Sequence, residues 1–412
     1  MPKVVLVVAV GVINRMAEMI EKVFKFFCIN HSLKSMLSAC LMFGMFVCIP
    51  SLSWAALLPE DRLDVMYHQY DGGGVKIDGP SVLIRKSLLD KYSVSANYYV
   101  DNITGASIDV EILASSYKEE RTEYSLGVDY LHNKTMMALG YTSSTENDYD
   151  AETVYGSISQ DFFGDMTNIS LIYSQGWDDV DKTDDDTFGK EEAKHRKYSL
   201  SISQILTKKL VTNIIFETDV DEGFLNNPYR QVRIVDGASQ RWEDEVYPET
   251  RTSDAFALRF KYAMLRQSVL GFEFRHYMDS WGIDANNIDV NYAYPLRNWV
   301  LDVHYRYYSQ DSADFYADSF QEGSLLNHMA RDKELSEFSG ETFGFGVTYH
   351  YEPHSWEAIE KITINFFYDH ITFNYDDFLD ARESVGGGSI PGQESAYSFD
   401  ADVTRLFLSV WY

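Results

Sequence analysis

The sequence predicts an all-β protein, a single transmembrane antiparallel β-barrel of about 16 strands, within a range of roughly 14 to 18. Three observations carry this prediction. Apolar and polar residues alternate with a period of two, short and long connections follow one another along the chain, and an apolar run near the N-terminus has the pattern of a secretory signal. Alternation places successive side chains on opposite faces of a strand, and outer-membrane barrels combine it with loops that are long at one end only.

Composition limits the class of protein before any motif is considered. The 412 residues include 29 Tyr and 25 Phe but only 9 Pro, a balance that favours strands. Acidic residues outnumber basic ones 63 to 35, which gives a formal net charge of −28 and would repel a nucleic-acid backbone. Because Cys28, Cys40 and Cys48 all precede the predicted barrel, no disulfide and no cysteine-based metal site is expected within it.

The N-terminal segment has the pattern of an export signal. The apolar run 36–54 ends in small residues three and one positions before a predicted cleavage after Ala55. A transmembrane anchor is the alternative because the run is about long enough to span a bilayer, but Pro50 and the small-residue ending favour a signal. The predicted domains are residues 1–55, an N-terminal extension with a secretory signal peptide, and residues 56–412, the barrel.

The alternating segments after the signal predict sixteen strands. In one of them aromatic and aliphatic residues alternate with Asp302, His304 and Arg306, so one face is apolar and the other polar. The predicted strands span residues 62–70, 82–88, 92–101, 122–132, 134–143, 152–161, 165–175, 196–206, 210–219, 252–263, 267–278, 284–294, 298–309, 340–351, 361–374 and 401–412.

The connections between these strands differ in length at the two ends of the predicted barrel. The long ones span residues 102–121, 176–195, 220–251, 310–339 and 375–400. Transmembrane barrels have short periplasmic turns and long external loops, whereas a secreted soluble β-protein, the alternative, has no reason to place every long loop at one end. An even number of strands also returns both termini to the periplasmic side.

The last strand has an alternating apolar face that ends in an aromatic residue, and it resembles the closing strand that the bacterial outer-membrane insertion machinery recognises. The predicted insertion signal consists of Leu406, Leu408, Val410 and Tyr412. The expected location is therefore the outer membrane of a Gram-negative bacterium. Outer-membrane lipid, lipopolysaccharide and the barrel-assembly machinery are the expected partners.

Charged residues at alternate positions of three predicted strands are candidates for lining a pore. They are Arg259, Glu273, Arg275, Asp302, His304 and Arg306. Spacing of two residues puts neighbours about 6–7 Å apart, so they can form an ion ladder that lines or plugs the lumen. Nucleophilic catalysis needs a nucleophile beside a base, and Ser309 falls on the opposite parity from His304. The sequence therefore predicts no catalytic residue and no enzyme.

An acidic segment is the candidate for binding a metal. It contains Asp178, Asp179, Asp181, Asp184, Asp185 and Asp186. Carboxylates at short spacing suit calcium, although the glycine and distal glutamate of an EF-hand loop are missing. A solvated acidic loop is the simpler interpretation, and low-affinity calcium binding is the alternative. The acidic residues 146–150 are a weaker candidate, and no other cofactor is expected.

Two glycine triplets, residues 72–74 and 386–388, are interpreted as structural loops. A phosphate cradle would be followed by a helix or by Gly-Lys-Ser/Thr, and neither follows the first triplet. Glycine instead supplies backbone angles that other residues avoid. Residues 75–80 are predicted to form a turn that leads into the second strand.

Six longer motifs lie along the mature chain. They are residues 58–62 (LPEDR), 67–74 (YHQYDGGG), 117–124 (YKEERTEY), 159–165 (SQDFFGD), 226–230 (NNPYR) and 330–335 (ARDKEL). They resemble an uncharacterised proteobacterial family, number 3570 among the domains of unknown function, from about Leu58 to the C-terminus. The resemblance implies an exported β-rich protein and supplies no activity and no catalytic residues.

The function expected from the sequence is that of a passive channel or conduit. Sixteen strands leave a lumen wide enough for water unless loops fill it. Acidic external loops and a lumen of mixed charge favour cations or small polar solutes. The alternative is a non-conducting barrel scaffold that docks a periplasmic or surface partner, and an outer-membrane enzyme is a third possibility.

Overall fold

The computed structural model describes residues 57–105, 107–108, 117–183, 185, 187–237, 239–323, 325–353, 356, 358–385 and 388–412. The predicted export signal and its cleavage position lie outside these residues.

The described residues form nineteen strands and little helix. The strands are β1 (Arg62–Gly72), β2 (Val75–Leu88), β3 (Tyr92–Gly105), β4 (Tyr117–His132), β5 (Thr135–Thr145), β6 (Tyr149–Phe162), β7 (Thr167–Val180), β8 (Glu191–Thr207), β9 (Leu210–Gly223), β10 (Gln231–Asp236), β11 (Ser239–Asp244), β12 (Thr250–Ala263), β13 (Val269–Asp279), β14 (Asp284–Leu296), β15 (Trp299–Gln310), β16 (Phe320–Gln321), β17 (Phe338–Tyr351), β18 (Lys361–Leu379) and β19 (Ala396–Trp411). The helical pieces are one short α-helix, α1 (Arg382–Val385), and 3-10 turns at Leu265–Gln267 and Lys333–Leu335. None of the helices in this part of the chain is long and apolar enough to cross a membrane.

Sixteen of these strands close into one antiparallel barrel. Strands β1–β9, β12–β15 and β17–β19 pair in chain order, and β19 pairs with β1 to close the ring. All sixteen predicted strands are confirmed, and most are longer than predicted at the end that carries the long loops. One local prediction was wrong, because residues 75–80 belong to β2 and Gly73 and Gly74 alone turn the chain, with φ angles of 58° and 83°.

The outer face of the barrel is apolar because each strand exposes every second side chain. On β15 the exposed residues include Leu301, Val303 and Tyr305, and the residues between them are charged. Similar alternation on β4 exposes Tyr124 and Leu126. An apolar band of this kind is unfavourable in water, and it is typical of the outer face of outer-membrane barrels.

Three of the long loops fold together into a compact cap, defined here as residues 224–249, 311–337 and 380–395. Strands β10, β11 and β16 form a small sheet inside it. The sequence did not predict these strands, because β10 and β11 have six residues each and β16 has two. Segments this short carry too few alternating positions to be recognised from periodicity alone.

The cap packs against the inward face of one part of the barrel wall. Tyr247 and Phe315 of the cap surround Trp281, with ring centroids 5.2–5.5 Å apart. This cluster rests on Tyr277 and Tyr308, which point inward from β13 and β15. Burial of several aromatic rings stabilises the contact by area and by edge-to-face geometry. The loops on this side therefore fold over the mouth of the barrel at the end that carries the long loops.

Buried charges join the three loops of the cap. Arg233 of β10 is fully buried and pairs with Glu394, and Asp318 lies 3.6 Å from its Nη1 atom. Arg331 donates to the Oδ1 atom of Asp318 at 2.8 Å and to the backbone oxygen of Leu379 at 2.9 Å. Removing one partner of such a buried pair leaves an uncompensated charge, which strongly destabilises a fold. The cap is therefore expected to hold together as one body.

Candidate functional site: the charged lumen and its vestibule

All six predicted pore-lining residues lie on the inward face of the barrel. Arg259 of β12 stands opposite Glu273 of β13, and the Nε and Oε2 atoms are 2.5 Å apart. Asp302, His304 and Arg306 share the inward face of β15, since the intervening side chains form the apolar outer face. Their positions agree with the parity predicted from the sequence, while their role in permeation remains a prediction.

The ion ladder continues through carboxylates one or two strands away, which the sequence did not indicate. Arg275 pairs with Glu217 of β9 at 2.6 Å, and Arg306 pairs with Asp289 of β14 at 3.2 Å. Asp369 of β18 also belongs to this set. The register of the strands determines which residues pair across the wall. Arg275 and Glu217 are 58 positions apart (275 − 217), so no local pattern in the sequence indicates that they form an ion pair.

A glycine makes one of these contacts possible. His304 of β15 and Asp369 of β18 are separated by one strand, and their Nε2 and Oδ1 atoms lie 3.4 Å apart across Gly344. A Cβ atom at Gly344 would lie 2.1 Å from His304 and 2.2 Å from Asp369. The two side chains therefore lie flat against the wall, and Arg405 of β19 completes the group at 2.7 Å from Asp369.

The basic partner of each pair is the more exposed one. The side chain of Arg306 is 53% exposed and that of Asp289 is 13% exposed. The arginine side chain is also more exposed than the carboxylate in the pairs of Arg259 with Glu273 and of Arg405 with Asp369. Arginine has a longer side chain than aspartate or glutamate, so the carboxylate lies close to the strand and the guanidinium reaches past it. At these pairs the inner wall consequently presents guanidinium N–H donors and positive charge to the lumen.

A vestibule opens between the cap and the opposite wall of the barrel. It has a volume of about 500 Å³. Its wall side includes His195 and Asp221, which form an ion pair at 2.7 Å across β8 and β9. Its cap side includes Arg230 and Glu334. A cavity of this size with both charges on its surface suits a small polar molecule.

Two of the motifs that carry the family resemblance meet in this vestibule. Arg230, the last residue of the motif 226–230, forms an ion pair with Asp332 in the motif 330–335. Asn226 donates from Nδ2 to the backbone oxygen of Glu245 at 2.8 Å. The two motifs therefore form the contact between two cap loops and also line the vestibule.

The predicted acidic segment does not form a single loop, which corrects the prediction from the sequence. Asp178 and Asp179 belong to β7 and point to opposite faces of it. Asp178 lies 3.0 Å from His195, and Asp179 pairs with Lys190 at 2.8 Å. Asp184 and Asp186 lie outside the described residues. Calcium binding stays a prediction, and among the described positions it now concerns only two loop residues, Asp181 and Asp185.

A different set of carboxylates comes together at the rim of the barrel on the same side as the cap. Among the described residues, Glu119, Glu146 and Asp148 form one group whose oxygens lie within 4.8 Å of one another. Burial, and then the nearby charge of Glu119, raise the pKa of Glu146 to about 7. Asp148 also accepts a hydrogen bond from Tyr229 of the cap. Groups of this kind are common without a bound ion, so no metal site is assigned.

The predicted insertion signal lies on the strand that closes the barrel. Leu406 and Leu408 are exposed on the outer face of β19, and Val410 follows on the same face. Tyr412 ends the chain beside β2, where its hydroxyl donates to the backbone oxygen of Arg85 at 3.1 Å. Recognition by an insertion machinery remains a prediction.

The closed barrel, its apolar outer face and its charged inner face define a β-barrel of the outer-membrane type. A family model described as "Protein of unknown function (DUF3570)" matches residues 111–359. The chain belongs to this family, as the motifs indicated. No curated protein matches its sequence.

Several solved outer-membrane proteins have a similar architecture. A bacterial polysaccharide outer membrane secretin has 7% identity and a TM-score of 0.47 over 86% of this chain and 98% of its own. OmpT of Vibrio cholerae has 13% identity and a TM-score of 0.41 over 87% of this chain and 100% of its own. OccD3 of Pseudomonas aeruginosa has 9% identity and a TM-score of 0.42 over 88% and 94%. At such values these likenesses carry no functional information.

Proposed function

We propose that this protein is an outer-membrane channel for small polar solutes. One observation carries the proposal: charged side chains on the inward face of a closed barrel remain accessible to water. Arg259, Arg306 and Arg405 are all half-exposed although the wall surrounds them. A lumen filled by loops or side chains would bury these guanidinium groups.

The charges on the inner wall also influence which solutes can pass through the barrel. The acidic external loops favour cations, whereas the exposed guanidinium groups of the wall favour solutes that carry a carboxylate or other acceptors. Small polar solutes with both kinds of group satisfy both surfaces, while a bare cation is repelled by Arg259 and Arg306. We therefore place polar solutes ahead of simple cations as the substrate class.

A scaffold without conductance is the second candidate, and the cap favours it. The cap packs on inward-facing aromatic residues of β13, β15 and β17–β19, so it narrows the external mouth. In that case the vestibule would be a shallow docking site rather than the start of a passage. No catalytic function is proposed.

Cysteine blocking in planar bilayers separates the two candidates. Residues 56–412 contain no cysteine, so Arg306→Cys would supply a single thiol on the inward face. Ser309→Cys, on the outward face of the same strand, is the matched control. We expect steady conductance that a bulky thiosulfonate reagent reduces in Arg306→Cys and not in Ser309→Cys. Folded barrels without steady conductance would instead support the scaffold.

A further inference from the structure

The vestibule continues into a smaller cavity beneath the cap. This inner cavity has a volume of about 220 Å³, and Arg251 and Glu334 line both spaces. Arg275 lines the inner cavity as well. Pockets for drug-sized molecules measure about 300–1,000 Å³, so only a compact solute fits here. Because Arg251 and Glu334 line both cavities, we call the place where they lie the junction between the two cavities.

The wall side of this junction presents positive charge. Arg251 of β12 pairs with Asp279 at 2.6 Å, but its side chain is 25% exposed whereas that of Asp279 is fully buried. Arg275 is also more exposed than its partner Glu217. Because each carboxylate is shielded by its arginine, a solute in the inner cavity meets guanidinium groups on this side.

The cap side of the junction presents negative charge. The Glu334 side chain is 69% exposed, while Arg230, whose Nη2 atom lies 3.4 Å from it, is only 12% exposed. Lys333, at 3.7 Å, is similarly buried. On the cap side the order of exposure is reversed, because the carboxylate of Glu334 is more exposed to solvent than its basic partners. Wall and cap therefore offer opposite charges to the same small space.

We propose that Glu334, facing Arg251 and Arg275, selects compact zwitterionic solutes that carry an ammonium and a carboxylate group, such as free amino acids. The carboxylate of the solute would face the arginines of the wall, and its ammonium group would face Glu334. A neutral solute gains nothing from this arrangement, and an ion of single charge is attracted by one side and repelled by the other. This inference rests on the proposed channel function.

The backbone around Glu334 is held independently of its side chain. Its N–H group donates to Oδ1 of Asp332 at 2.8 Å, and its carbonyl oxygen accepts from Gln310 at 3.0 Å. Glu334→Gln keeps both contacts and the size of the side chain, so it removes charge without removing the cap. Glu322→Gln is the matched control, because Glu322 is a half-exposed cap residue paired with Arg241 and lines neither cavity.

The test measures swelling of liposomes that contain refolded protein comprising residues 56–412. Glycine is the zwitterionic probe, and its uncharged isomer glycolamide is the reference. We expect glycine to enter faster than glycolamide in the parent protein. Glu334→Gln should lower the glycine rate about fivefold, which corresponds to ~1 kcal/mol for one charge pair in water, and should leave the glycolamide rate unchanged.

A second variant tests the wall side of the same passage. Arg275→Gln leaves Glu217 paired with Lys197 at 3.4 Å, and it should also lower the glycine rate selectively. Glu322→Gln should change neither rate. Equal losses for both probes in Glu334→Gln, or no loss in either variant, would overturn the selectivity. Swelling by neither probe in the parent protein would overturn the channel function itself, which distinguishes the two failures.

Discussion

Arg233 and Glu394 form an ion pair in which both side chains are fully buried, although 161 residues separate them in the chain. Arg233 comes from the loop between β9 and β12, and Glu394 comes from the loop between β18 and β19. Asp318, from a third loop, lies beside the same guanidinium group. These buried charges neutralise one another only when the three loops are docked as they are here. The folded state of the cap therefore depends on this arrangement of the loops.

Replacing Arg233 with methionine should unfold the cap and leave the barrel intact. The substitution leaves Glu394 buried without its guanidinium partner, which typically costs about 3–5 kcal/mol. We expect new protease cleavage within residues 380–395, with unchanged heat-modifiable migration of the barrel. Arg241→Met, which removes an exposed arginine of β11, should leave the cap protected. Equal protection of the Arg233 and Arg241 variants would contradict this view of the cap.

Neutralising lumenal carboxylates should shift ion selectivity towards anions. Asp302→Asn combined with Glu273→Gln removes two negative charges and leaves Arg259 without its partner. The reversal potential under a potassium chloride gradient should move to the anion side. The shift should shrink at high salt, because charges are screened over about 8 Å at physiological ionic strength and less above it. Asp179→Asn on the outward face of β7 should have no effect, and an unmoved potential in the double variant would exclude these residues from the permeation path.

Changing Tyr412 to aspartate should impair assembly of the barrel. The ring lies 4.7 Å from the ammonium group of Lys86, and its hydroxyl bonds to the backbone of β2, so it fixes the end of β19 at the seam. Heat-modifiable barrel in outer-membrane fractions should fall. Tyr412→Phe retains the ring and should assemble. If the aspartate variant gave the normal amount of heat-modifiable barrel in outer-membrane fractions, Tyr412 would not be part of the insertion signal.

Protease tags should report the orientation of the barrel. A tag inserted after Asp185 lies in the loop between β7 and β8, at the cap end. A tag after Lys208 lies in the short turn between β8 and β9, at the opposite end. On intact cells the first should be cut and the second protected, and both should be cut after lysis. Reversed accessibility would invert the topology.

Acidification should stabilise the hairpin that joins β5 to β6. The pKa of Glu146 is raised to about 7 from its ordinary value of 4.5, so the folded state binds the proton more tightly than the unfolded state. The resulting stabilisation is complete below about pH 4.5 and is lost as the pH rises through 7. Amide exchange at Glu146, whose N–H donates to the Tyr149 oxygen at 2.8 Å, should be slower at pH 5.5 than at pH 8.5 after correction for intrinsic rates.

Glu146→Gln is the control for this pH dependence. The amide is uncharged throughout the range and keeps the size of the side chain, so protection in this variant should be the same at both pH values. If the parent protein also showed no difference, burial and the nearby charge of Glu119 would not be raising the pKa of Glu146.

The vestibule shows why sequence analysis identified only part of the candidate site. The inward position of Arg275 follows from alternation along a single strand, and the structure agrees with it. Its partner Glu217 belongs to β9, and the pairing follows from the register of three neighbouring strands. Glu334 lies within the motif 330–335, but nothing in the residues around it indicates that its loop folds back over the lumen.

The sequence by itself determined the number of barrel strands, the face on which each side chain lies and the end that carries the long loops. These properties depend on a period of two and on turn residues, which are local and repeat along the chain. The tertiary structure alone decided the cap, the partners of the ladder and the junction lined by Arg251 and Glu334. Those contacts join segments that are distant in the chain, and their energies depend on which charges become buried together. No local pattern in the sequence encodes that combination of charges.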